Sequence, residues 1–128
     1  LALVWKGLAR YARLTGAADL FGTSSMDRVD ATSAYGVLEY LRKSGQTADF
    51  GAAPKAPYRF EDTPDPAELG KPEAFRDMVP PLLRSYLRAG AVVCAEPGLD
   101  LDLKTTDYLT LLDLDAMNPR FAARFFTS

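Results

Sequence analysis

Five of the nine prolines in this 128-residue chain (Pro54, Pro57, Pro64, Pro66 and Pro72) fall within one short stretch. Each removes a backbone N–H donor and fixes φ, so neither a helix interior nor a central strand can run through it. Residues 45–72 are therefore expected to form a long irregular loop, with Tyr58-Arg59-Phe60 as a brief extended piece within it. A loop of this length inside a compact domain is unusual and is commonly functional or mobile.

The N-terminal flank opens with a helical pattern to about residue 15. Leu1, Val4, Leu8 and Tyr11 recur at helical spacing with Trp5 beside them, while Lys6, Arg10 and Arg13 share another face. Gly16 suits a C-terminal cap. Asp19–Ser25 reads as a strand, and Ala31–Lys43 as a second helix. Asp30 can cap that helix, Gly45 follows it, and Val37, Leu38 and Leu41 form its apolar side.

Beyond the loop, Pro72 suits the first turn of a short helix to Met78, and Pro80-Pro81 open another to Ala89, ended by Gly90. Ala91–Ala95 is an apolar strand run, Pro97-Gly98 a turn, and Thr106–Leu114 a second strand run. Asn118-Pro119 pairs an N-cap with proline at the first helical position. The closing helix carries Phe121, Phe125 and Phe126, with Arg120 and Arg124 one turn apart. The order α-β-α-loop-α-β-β-α predicts one α/β or α+β domain over residues 1–128. Its small mixed sheet is flanked by helices, and its last two strands pair antiparallel.

Composition narrows the chemistry. A hydrophobic content of 48% and a charged content of 25% are ordinary for a soluble globular protein. A net charge of -2 gives no electrostatic case for nucleic acid. The chain has no histidine, which removes Ser-His and Cys-His catalysis and most zinc sites within it. The single cysteine, Cys94, has no internal disulfide partner and lies in an apolar run, where cysteine behaves as a small hydrophobe. No apolar run approaches the roughly 20 residues that span a bilayer. The opening residues lack the charged region and cleavage site of a secretory leader, so none is expected. Because the first residue is Leu1, the expectation is a piece of a longer protein.

Asp107 is the sharpest candidate for chemistry. It stands at the mouth of an apolar strand, where a carboxylate is costly unless it is paired. It reads either as a base or ammonium anchor, or as a strand-start residue satisfying nearby backbone N–H groups. Glu96, Asp100 and Asp102 form an acidic loop that reads as a solvated turn or as an attraction for a cationic substrate. Its spacing fits no calcium loop, and no metal is expected. The Lys6, Arg10, Arg13 face reads as a solvated surface or as a dock for an acidic partner.

The run P-P-L-L-R-S-Y-L-R-A-G-A, followed in order by V-C-A-E-P, T-T-D-Y-L and N-P-R-F, resembles the C-terminal half of a bacterial acyltransferase group. These are the GNAT-fold N-acyltransferases related to L-ornithine Nα-acyltransferase, often labelled hemolysin-like. L-V-W-K-G-L-A-R-Y is similar to that family's central helix and L-F-G-T-S-S to the strand after it. The resemblance implies transfer of a long-chain, often 3-hydroxylated, acyl group from an acyl-phosphopantetheine thioester, on acyl carrier protein or coenzyme A, to the α-amino group of an amino acid such as ornithine. It implies no tightly bound cofactor and a cytoplasmic location, at the inner face of the membrane and in peripheral contact with it. It makes Asp107 the catalytic candidate and Glu96, Asp100, Thr106 and Arg88 the substrate-binding candidates, with Lys6, Arg10 and Arg13 facing the carrier protein. Two other readings stand beside it. One is a synthase of N-acyl amino acid or acyl-homoserine-lactone-type signals; the other is a non-catalytic module that binds acyl carrier protein or lipid. The Pro-rich loop and Leu103, which stands where the family commonly has an aromatic, depart from the family pattern.

Overall fold

The computed structural model describes residues 2–126. Leu1, placed by its spacing on the apolar side of the first helix, lies outside the described residues.

Helix α1 (Ala2–Thr15) buries Trp5, Ala9 and Ala12. The expected apolar face is thus corrected: Val4 and Tyr11 are 59% and 63% exposed, and Leu8 is half-buried. Spacings 5-9-12 and 4-8-11 are equally helical. The small alanines let the helix approach its neighbours closely while the indole fills the remaining space, an arrangement that a search for large aliphatic residues misses.

Strand β1 (Asp19–Met26) pairs antiparallel along its whole length with a later strand, from Asp19 opposite Asp113 to Met26 opposite Thr106. Helix α2 (Ala31–Lys43) has the expected bounds. The Asp30 carboxylate accepts from the Ser33 N–H at 2.8 Å, and its hydrogen bonding with Ser33 holds its pKa below the usual carboxylate value. In the Pro-rich loop, the expected extended piece gives way to a 3-10 turn at Ala56–Tyr58, in which the Tyr58 N–H donates to Lys55 O. Pro57 explains this, since its fixed φ suits a tight turn as well as an extended chain. Pro72–Met78 is likewise a 3-10 helix.

Helix α3 (Pro81–Ala89) ends at Gly90 in the left-handed conformation, as expected. The strand expected over Ala91–Ala95 contracts to β2 (Val92–Val93). The segment read as a Pro-Gly turn contains a strand instead, β3 (Gly98–Asp100). Both pair antiparallel with β4 (Thr105–Asp113). Pro97 cannot donate to a ladder, so the chain leaves the sheet after Cys94 and rejoins it at Gly98. The expected pairing of the last two strand runs is present but short. The long partner of β4 is β1, and β4 runs down the middle of the sheet in the order β1-β4-β2. Helix α4 (Pro119–Phe125) starts as read, with Asn118 Oδ1 accepting from the N–H groups of Arg120 and Phe121.

Alternation along β4 gives the sheet two unlike faces. Thr106, Tyr108, Thr110 and Leu112 are buried, whereas Asp107, Leu109 and Leu111 are only half-buried. Around the buried face, Tyr108, Met26 and Val93 cluster with α2, Phe75 and Leu83. Leu112 clusters with Trp5, Ala89, Ala91, Met117 and Phe125. The opposite face is left largely open, with Phe21 78% exposed and Thr23 and Ser25 also exposed. This mixed α/β arrangement agrees with a partial GNAT-like fold.

Candidate active site

Asp107 lies inside β4 rather than at its mouth, between Ser25 of β1 and Gly98 of β3. Its Oδ1 accepts from Ser25 Oγ at 2.7 Å and from Thr105 Oγ1 at 3.0 Å. Thr105 is two residues earlier on the same strand and so shares the face of Asp107. Ser25 reaches it across the ladder. The carboxylate is therefore held by side-chain hydroxyls on two strands, not by the local backbone N–H groups of the structural alternative. Its Oδ2 has no partner among the described residues. A carboxylate fixed at one oxygen and free at the other can hold an ammonium group or accept a proton from it.

The other candidates disperse. Thr106 points to the opposite face, is fully buried, and donates its hydroxyl to Arg28 O at 2.6 Å, tying the connection after β1 to the sheet. Glu96 Oε2 accepts from Tyr35 Oη at 3.2 Å on the α2 side. Burial pushes the Tyr35 phenol up, and the nearby Glu96 carboxylate adds to this against a lowering hydrogen bond from Thr63. Thr63 joins the Pro-rich loop to the same group, its hydroxyl 3.5 Å from Tyr35 Oη. Asp100 Oδ1 accepts from the Leu103 N–H at 3.0 Å and closes the turn before β4, while Asp102 is exposed in that turn. Lys6, Arg10 and Arg13 are exposed on α1 and form no ion pair among the described residues. Arg88 stands at the end of α3, in a cleft that it shares with Arg120 and Arg124.

Cys94 is buried, its thiol 3.6 Å from Leu109 O, and burial pushes its pKa up. Among the described residues, no three carboxylates or thiols cluster to hold a metal ion. Sequence reasoning missed Ser25 and Thr105 as partners of Asp107. Thr105 was within reach as the first residue of T-T-D, but Ser25 is 82 positions away and only the β1–β4 register brings it there.

Nearly the whole chain aligns with curated proteins that share one name. It is 29% identical over 121 residues to the L-ornithine N(alpha)-acyltransferase of Rhizobium meliloti (strain 1021), covering 93% of this chain and 40% of that protein. The protein of the same name from Brucella abortus (strain 2308) is 27% identical over 129 residues, covering 96% of this chain and 44% of the relative. That of Rhodobacter capsulatus is 28% identical over 121 residues, at 94% and 46%. The chain is similar to L-ornithine Nα-acyltransferases over almost its full length. It spans less than half the length of these relatives. No protein-family model matches it, and no solved structure matches it significantly. The match to the ornithine acyltransferases takes in both flanks of the Pro-rich loop, and so both strands that hold Asp107.

Proposed function

We propose that this chain forms the acceptor side of an N-acyltransferase. In this reading a long-chain acyl group, often 3-hydroxylated, moves from a thioester on acyl carrier protein to the α-amino group of an amino acid such as ornithine, in aminolipid synthesis. The similarity to proteins named L-ornithine N(alpha)-acyltransferase along 93–96% of the chain carries the proposal. The Asp107 cluster supports it by supplying the group that the chemistry needs. The neutral amine attacks the thioester carbonyl, a C–N bond forms, the C–S bond breaks, and the thiolate leaves and takes up a proton. Asp107, free at Oδ2, holds the incoming ammonium and takes the proton that the amine must lose. No covalent nucleophile is needed, so the chemistry does not call on histidine or on the buried Cys94. The exposed basic face of α1 suits an acidic carrier protein, which it would meet faster at low salt. The reading implies a cytoplasmic protein in peripheral contact with the membrane that receives its product. No described helix is long and apolar enough to cross a bilayer.

The test is Asp107→Asn in the full gene product, assayed by mass spectrometry for N-acylornithine from ornithine and acyl carrier protein. Asparagine keeps the shape and an acceptor for both hydroxyls but removes the charge and the base. Turnover should fall at least tenfold, in line with the loss of a general base, while the melting temperature stays near that of the parent. Unchanged turnover would remove Asp107 from the mechanism. No acyl transfer to any amino acid by the parent would remove the reading itself.

A further inference from the structure

A second charged feature lies away from Asp107. We propose that the cleft between α1, α3 and α4 binds an amphiphile with a phosphate head, the phosphate on Arg88, Arg120 and Arg124 and the apolar chain on the aromatic floor beside them. The cleft has a volume of about 610 Å³ and is lined by these three arginines together with Trp5, Phe121 and Phe125.

The chain carries 17 Asp and Glu side chains, yet none pairs with any of the three among the described residues. The recorded partner of the Arg124 guanidinium is the Phe125 ring, 4.9 Å from its centroid. Arg120 and Arg124 stand four residues apart on one helix, a like-charge spacing that is mildly destabilising by itself. The backbone that carries Arg88 and Arg120 is nonetheless fixed. The Asn118 N–H donates to Ala89 O at 2.8 Å, which sets the start of α4 against the end of α3 and brings Arg120 toward Arg88. Gly90 makes this junction possible: its φ is 108°, and a Cβ there would lie 3.1 Å from Asn118 N. The floor is equally ordered. Trp5 meets Phe121 edge-on with centroids 4.6 Å apart and donates its indole N–H to Ser85 Oγ at 3.2 Å. Three planar guanidiniums offer forked donors that match the several oxygens of a phosphate better than the two of a carboxylate. The apolar floor makes a free phosphate an incomplete ligand.

This chemistry is that of a phospholipid, whose phosphate adjoins its apolar chains; in an acyl-phosphopantetheine the polar pantetheine arm separates the two. The inference does not depend on the acyl-transfer reading, because it uses none of the Asp107 cluster. Trp5 is the only tryptophan of these 128 residues and lines the cleft, so with any tryptophan elsewhere in the full gene product replaced by phenylalanine its fluorescence reports occupancy. Dodecyl phosphate below its micelle concentration should change the Trp5 emission saturably. Dodecanoate, dodecyl maltoside and inorganic phosphate should each bind at least tenfold more weakly. Arg88→Ala combined with Arg120→Ala should weaken dodecyl phosphate at least tenfold with an unchanged circular dichroism melt, since both side chains are exposed. Phosphatidylglycerol vesicles should then bind and phosphatidylcholine vesicles should not, while dodecanoyl-phosphopantetheine, with phosphate and chain far apart, should bind at least tenfold more weakly than dodecyl phosphate. Equal binding by the double variant, equal binding of the neutral-headed detergent or of dodecanoate, or silence from phosphatidylglycerol vesicles would overturn the proposal.

Discussion

Tyr108 carries its hydroxyl into the centre of the larger cluster, where it donates to Ala34 O of α2 at 2.7 Å and is fully buried. Burial pushes this phenol far above its usual pKa, and the Asp30 carboxylate adds to the rise. Because the folded pKa exceeds the unfolded one, Tyr108 contributes no pH dependence while both states stay protonated. As pH rises past about 10, the unfolded chain ionises and the folded chain does not, so stability falls with increasing alkalinity. Tyr108→Phe should cost about 1 kcal/mol at pH 7, the net worth of one hydrogen bond. It should also flatten the decline in stability between pH 9 and pH 11. Urea titrations of both proteins across that range check the sign; parallel slopes would place the alkaline sensitivity elsewhere. Asp107 shows the same dependence on partners near the start of the strand. T-T-D marks a carboxylate beside hydroxyls, but whether it is solvated, locally bonded or held across a ladder depends on the residue opposite, Ser25.

Among the elements, α2 was the most legible in sequence, because Asp30, a helical apolar period and Gly45 all point to the same bounds. The orientation of α1 was not, since alanine carries little hydrophobic signal but lets a helix pack closely. The strand β3 was hidden because Pro97-Gly98 is as good a turn as it is a strand entry. Packing between elements also rests on positions that sequence passes over. Gly36 lies in the middle of α2, where glycine costs about 1 kcal/mol relative to alanine. A Cβ at that position would fall 2.2 Å from the Phe75 ring, which is buried against α2 from the 3-10 helix Pro72–Met78. Gly36→Ala should therefore lower stability by about 1–3 kcal/mol, the usual penalty of overpacking, despite the better helix propensity. Adding Phe75→Leu should recover part of that loss. A Gly36→Ala protein more stable than the parent would show that α2 and the Pro72–Met78 segment do not pack this closely.

At the scale of the whole molecule, β4 organises both flanks, yet its main partner precedes it by some 80 residues, across the Pro-rich loop. Local pattern shows that two segments are strands but cannot show that they pair, and so the sheet order was out of reach while the fold class was not. Among the described residues the same topology leaves β1 at the edge of the sheet. Among the described residues nothing pairs with its outer side, and Phe21 projects 78% exposed beside the half-buried Leu111 of β4. A long edge strand bearing an exposed aromatic is a template for pairing with another chain. Expressed alone, the 128-residue chain should self-associate through β1, and Phe21→Lys should shift it toward monomer, because an edge lysine opposes strand addition. Phe21 is exposed and lies opposite Leu111, away from the hydroxyls that hold Asp107, so the substitution should leave the fold intact by circular dichroism. Sedimentation velocity over a range of chain concentrations separates the outcomes. Concentration-dependent association in the parent that is reduced in Phe21→Lys supports an open β1 edge. A parent that stays monomeric throughout, or a variant that associates as strongly, would mean that the edge is protected by the protein itself.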